Sequence, residues 1–228
     1  MTLELQKRIF TSISLFLLVY VFIFINIYIS ATALILISLI SWIEFIKLTN
    51  QIYRNKNELA ANLLLIFSAL YLTIFAGISF YIIVFDKIYF LYILFLYIFS
   101  DIGGYVFGKT FKGAKLTSIS PNKTKSGAYG SFIFSIIPYL IFKIISLSTS
   151  GIIFFTDGLI LNITMCFYIS LVCQAGDLFI SFFKRLAKVK DTGKILPGHG
   201  GILDRIDGII FAIPAIGILG YLLKIVGL

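Results

Sequence analysis

Charge is what this chain has least of. Of its 228 residues only 13% are Asp, Glu, Lys or Arg, the acids number ten, and histidine occurs once. With 60% hydrophobic residues and so few charges, a soluble domain is hard to keep in solution, which leaves a multi-span membrane protein as the economical class. Cysteine is nearly absent as well. Cys166 and Cys173 lie seven apart in one apolar run, without CxxC or zinc-type spacing, so they imply no disulfide and are read as small packing residues. There is no internal repeat and no low-complexity tail. A net charge of +9 is compatible with nucleic acid as a partner. Basic loops beside a membrane explain it more simply, and no nucleic acid is expected.

What is present in quantity is the apolar run. Such runs place spans at about 9–28, 30–47, 59–84, 88–108, 128–147, 158–176 and 205–226. The expected fold is all-α: a polytopic membrane helical bundle of about seven (six to nine) transmembrane helices. Lys7 and Arg8 ahead of the first run, with Ala31-Thr32-Ala33 behind it, mimic a signal peptide. That run is long for a signal and hydrophobicity resumes at Leu34, so the first span is read as uncleaved. Gly77 marks a place where the third span can break, and Pro138 predicts a kink in the fifth. With the N-terminus in the cytoplasm, 16 of the 19 basic residues fall on cytoplasmic loops, leaving Lys87, Lys143 and Lys224. Residues 1–85 carry no motif; 86–228 carry them all.

The polar residues concentrate between Gly176 and Gly208, with four Asp and the single His199. If residues 177–188 are helical, Asp177, Ser181, Lys184 and Lys188 share one face. A turn-rich loop follows, and Asp204 and Asp207, at i and i+3, open the last apolar run. Carboxylates suit a hard divalent cation; Lys, Arg and Gly-rich backbone suit phosphate. At about 1.5 Å per residue, Asp101 and Asp177 both come out about 10 Å below the basic rim of their spans. A lone carboxylate deep in lipid costs roughly 2.5–3.5 kcal/mol, so these acids are expected to converge on one polar pocket open to the cytoplasm. Each signal also has a plainer reading. Asp204 and Asp207 can complete a helix N-terminus, Lys184 and Arg185 can snorkel, and Gly104 with Gly108 can serve helix packing.

Three segments resemble those of the phosphatidate cytidylyltransferase (CDP-diacylglycerol synthase) family, in order and spacing. They are Asp101-x-x-Gly104-Tyr105-x-x-Gly108-Lys109, Ser120-Pro121-x-Lys123-Thr124-x-x-Gly127, and a long C-terminal signature. The signature comprises Ser181-x-Phe183-Lys184-Arg185, Lys190-Asp191-x-Gly193, Leu196-Pro197-x-His199-Gly200-Gly201 and Asp204-Arg205-x-Asp207. The resemblance implies transfer of a cytidylyl group from CTP to phosphatidate at the cytoplasmic face, giving CDP-diacylglycerol and pyrophosphate for phospholipid synthesis. It implies Mg²⁺ on Asp177, Asp204, Asp207 and Asp101, with a second cation left open. It makes Lys184, Arg185, Lys190, Asp191, His199 and Arg205 catalytic candidates, and Ser120, Lys123 and Thr124 phosphate-binding ones. Partners are then CTP, phosphatidate and membrane lipid, with a homodimer left open. The place is a bacterial inner membrane, which the Ile-, Phe-, Lys- and Asn-rich composition also favours.

Two positions depart from the family pattern. Ser126 stands where Glu is usual, and Ile180 where Glu commonly precedes the signature Ser. They motivate one alternative, a catalytically weakened homologue with a binding role. The other, a membrane transporter, calls for broken helices in paired halves, which the sequence does not display.

Overall fold

The computed structural model describes residues 17, 19–54, 57–148, 158–196 and 200–226, and the regular structure among these is helical, with no strand. Residues 19–24 are helical, and the remainder of the first expected span lies outside the described residues. Helix α1 (Ile27–Ile52) starts at Asn26, whose side chain accepts the Tyr28 N–H. Helix α2 (Glu58–Phe85) starts in the same way at Asn57, which accepts from Ala60 N–H. Helix α3 (Lys87–Phe111) follows after the single residue Asp86, then α4 (Lys125–Ser148), α5 (Leu159–Leu186), the one-turn α6 (Leu203–Ile206) and α7 (Ile209–Val226). Helices α1 to α5 are each long and apolar enough to cross a membrane, and α7 is a further apolar helix. The chain is a multi-pass, all-α membrane protein.

Two expectations change here. Helix α2 runs through Gly77 without a break; a Cβ there would touch nothing within 4 Å, so the glycine marks open space. Helix α5 stops at Leu186, and Lys188 takes a left-handed φ of 57°. Val189 N–H reaches back to the Lys184 carbonyl at 2.9 Å and Lys188 N–H to that of Arg185 at 3.0 Å. This is the paired closure of a Schellman end, so Lys188 leaves the face it was expected to share with Asp177. Gly103 to Thr110 spell G-x-x-x-x-G-K-T, the phosphate-loop pattern, yet they form the last turns of α3. With their N–H groups spent on the helix they cannot cradle a phosphate.

The chain divides into two compact units, residues 1–87 with 183–207, and residues 88–182 with 208–228. The first holds α1 and α2 packed together, Trp42 Nε1 donating to the Leu65 carbonyl at 3.3 Å, with Phe183 against Phe45. In the second, α3 and α4 cross at Gly103 and Gly130. A Cβ on Gly130 would collide with Phe107 and the Gly103 carbonyl, so only bare backbone permits that approach. Helices α3 and α5 are joined by Ser100 and Ser170, whose hydroxyls lie 2.8 Å apart, and by Tyr92 on Cys166. Phe179 of α5 packs edge-on against Phe211 of α7. Cys166 and Cys173 are both buried, as expected of small packing residues.

Candidate functional site

In the second unit the polar residues gather around a cavity of about 440 Å³. Its first wall is the C-terminal part of α3, where Asp101, Gly104 and Tyr105 fall at i, i+3 and i+4. Helix α5 supplies Gln174 and Asp177, again one face, and α4 supplies Gly127 and Ser131. The loop between α3 and α4 closes it with Ser120, Lys123 and Thr124. That loop is pinned by its own backbone: Leu116 N–H donates to the Lys123 carbonyl at 2.8 Å and Lys125 N–H to that of Ala114 at 2.9 Å. Thr124 then caps α4, its hydroxyl accepting Gly127 N–H at 3.1 Å.

Lys123 forms an ion pair with Asp177, both side chains about a quarter exposed, and the Ser181 hydroxyl donates to Asp177 at 3.3 Å. The cavity therefore brings Asp101, Asp177, Ser120, Lys123 and Thr124 together, acids from two helices beneath a basic, hydroxyl-bearing loop. Ser126, where the family pattern has Glu, donates to the Lys112 carbonyl and lies 2.9 Å from the Thr124 hydroxyl. It ties the start of the loop to its end. Ile180, the other departure, is 3% exposed and serves packing.

The first unit holds a second cluster, built on the Gly-rich loop after α5. Lys184 Nζ donates to Asp204 Oδ1 at 2.8 Å. Asp204 Oδ2 accepts three times: from Thr192 N–H at 2.7 Å, Gly201 N–H at 2.9 Å and the Thr192 hydroxyl at 3.0 Å. The bond back to Gly201, three residues earlier, ties the end of the loop to the first turn of α6. Burial pushes the Asp204 carboxyl up. The Lys184 ammonium and the Gly201 and Thr192 donors outweigh it, holding the carboxyl below the usual carboxylate range.

Glu44 completes this cluster. It lies eight residues before the end of the apolar helix α1 and is 0% exposed. It accepts from the Thr192 hydroxyl at 2.9 Å, Ile202 N–H at 3.1 Å and Leu203 N–H at 2.9 Å. It belongs to none of the sequence motifs, which all lie in residues 86–228. The signal was available: an acid inside a span is costly and therefore has a task.

Of the remaining candidates, Arg185, Lys190, Asp191 and Arg205 are exposed in the first unit. Asp207 is 6% exposed and ends α6. His199 lies outside the described residues, with Pro197 and Gly198. Among the described residues no three His, Cys, Asp or Glu side chains are grouped so as to hold a metal ion. Asp101 and Asp177 are a pair on one cavity, and Asp204 has both oxygens engaged by donors of the protein.

A family model described as the cytidylyltransferase family matches residues 5–223. The chain is 42% identical over 132 residues to a phosphatidate cytidylyltransferase of Staphylococcus saprophyticus, covering 56% of this chain and 48% of that protein. It is 34% identical over 142 residues to one from Helicobacter pylori, covering 62% and 50%. It is 43% identical over 108 residues to one from Rickettsia typhi, covering 47% of each. The chain spans about half the length of the curated relatives it matches.

Proposed function

The chain belongs to the cytidylyltransferase family, and on that premise we propose that it transfers the cytidylyl group of CTP to phosphatidate at the cytoplasmic face of a bacterial inner membrane. The products are CDP-diacylglycerol and pyrophosphate. The observation that carries this is the cavity where Asp101 and Asp177 stand under Ser120, Lys123 and Thr124.

The reaction joins two polyanions. The lipid phosphate oxygen is anionic at neutral pH and attacks the α-phosphorus of CTP; the bond to the β-phosphate breaks and pyrophosphate leaves. Little general-base help is required, so alignment and charge screening dominate. Lys123 neutralises Asp177 at rest; an arriving triphosphate competes for the ammonium and frees the carboxylate. Ser120 and Thr124 donate to phosphate oxygens from a loop whose backbone is already fixed. Lys184, Arg185, Lys190 and Arg205 are further phosphate partners, with Asp191 and His199 as candidates on the same loop.

Mg²⁺ is commonly held by one or two carboxylates plus substrate phosphates, and the Asp101 and Asp177 pair fits that demand. Bound there, it supplies charge neutralisation and alignment of the phosphates. Asp204 fits less well, because Lys184, Thr192 and Gly201 take its oxygens. It acts instead as an anchor of the signature loop. The basic residues on the α3–α4 loop and after α5 favour a cytoplasmic N-terminus.

The test is direct. Purified protein, reconstituted with phosphatidate, CTP and Mg²⁺, forms CDP-diacylglycerol and pyrophosphate in equal amounts. Absence of CTP-dependent product refutes the proposal.

A further inference from the structure

We propose that Glu44 is a positioning residue for the nucleotide-handling loop, acting from a helix that carries no family motif. This rests on the cytidylyltransferase activity proposed for the chain.

Among its described residues, the loop from Asp191 to Asp204 holds no regular structure beyond the bridge of Leu196 to Gly200 and the single turn of α6. Glycine-rich backbone of that kind samples many conformations unless something fixes it. Two carboxylates do so from opposite directions. Asp204 holds Thr192 and Gly201 from within the loop, while Glu44 holds Thr192, Ile202 and Leu203 from α1. Thr192 is the shared point: its one hydroxyl proton faces Glu44 Oε2 at 2.9 Å and Asp204 Oδ2 at 3.0 Å.

The glycines of the signature follow from the same contact. A Cβ on Gly193 would collide with the Glu44 carboxylate, and one on Gly201 would collide with it and with the Thr192 hydroxyl. The backbone closes around this acid on two sides, which only glycine allows. A carboxylate buried at 0% exposure in an apolar helix is retained here because it accepts donors from both ends of the loop. The consequence is a defined placement of Lys184, Lys190, Asp191 and Arg205, which flank the clamped residues.

Three variants of the full chain in lipid nanodiscs test this: Glu44→Ala, Glu44→Gln and Thr192→Val. Glu44→Gln keeps the volume but turns an amide N–H toward backbone N–H groups. Expected for both Glu44 variants is trypsin cleavage after Lys190 and Lys194 about tenfold faster than in the unmodified chain, with cleavage after Arg54 unchanged. KM for CTP rises about tenfold while kcat stays within about threefold. Thr192→Val moves both readouts the same way, less far, and decides the matter if the Glu44 variants do not fold. Unchanged cleavage at Lys190 and Lys194 overturns the clamp. An opened loop with unaltered KM, or a fall in kcat alone, overturns the positioning role. If the unmodified chain turns over no CTP, the proposed activity falls, and the cleavage pattern alone then judges the clamp.

Discussion

Thr192 binds Asp204 twice. Its backbone N–H donates to Oδ2 at 2.7 Å, and its hydroxyl lies 3.0 Å from the same oxygen. With Gly201 N–H on that oxygen and Lys184 on the other, the carboxylate is held on every side by donors. An aspartate so placed fixes backbone, and its charge is stabilised by the fold.

The first prediction concerns acid. The Asp204 carboxyl sits below its usual range when folded, so its contribution is complete above the unfolded value of about 3.9 and is lost as pH falls through the folded value. The stability of the unmodified protein in detergent should therefore fall off below about pH 4. Asp204→Asn should flatten that limb and cost about 1–3 kcal/mol at neutral pH, where it leaves the partly buried Lys184 ammonium without its counter-charge. Unfolding followed across a pH series checks both. An unchanged acid limb counts against the assignment.

Glycine substitutions should separate two kinds of position. Gly201→Ala places a methyl against the Glu44 carboxylate and the Thr192 hydroxyl, and should destabilise by about 1–3 kcal/mol. Gly77→Ala, in the interior of α2 with open space around it, should be neutral or stabilising by up to about 1 kcal/mol. Thermal unfolding of the two variants side by side gives the comparison.

Asp177 should matter for turnover far more than for stability. Its ion pair with Lys123 is about a quarter exposed and contributes at most about 1 kcal/mol. Asp177→Asn should nevertheless lower kcat for CDP-diacylglycerol formation on the order of 100-fold. Lys123→Met should act mainly on KM for CTP. Radiolabelled CTP incorporation with unfolding curves for each variant distinguishes this from a folding defect.

The membrane orientation makes a fourth prediction. In a background with Cys166 and Cys173 replaced by Ala, a cysteine at Lys115 or Lys194 should react with an impermeant thiol reagent only when the cytoplasmic side is accessible. One at Gly158, exposed just before α5, should react only from the other side. Reversed labelling would invert the topology, and with it the side from which CTP arrives.

Periodicity and apolar run length carried most of the helices, because a span is a local property: every backbone group is satisfied inside its own helix. Helix ends were less legible. Nothing local announces that Lys188 adopts a left-handed φ; that depends on the carbonyls of Lys184 and Arg185 being reached from beyond the helix end. The cavity residues were readable one by one, and the depth estimate placed Asp101 and Asp177 at a similar level. Their shared cavity required α3, α4 and α5 to pack, which bare glycine backbone at Gly103 and Gly130 permits.

By itself, then, the sequence determined that this is a helical membrane protein with phosphate-suited residues confined to its C-terminal half, since composition and hydrophobic run length act through local physics. Only the tertiary structure decided what each acid does. Asp204 and Asp177 look alike on a motif string, yet one is surrounded by backbone donors and the other faces a cavity beside a lysine. Glu44, about 150 positions from its partners, enters only through the fold. A carboxylate's role is set by which donors reach its oxygens, and donors far away in sequence arrive only when the chain has packed.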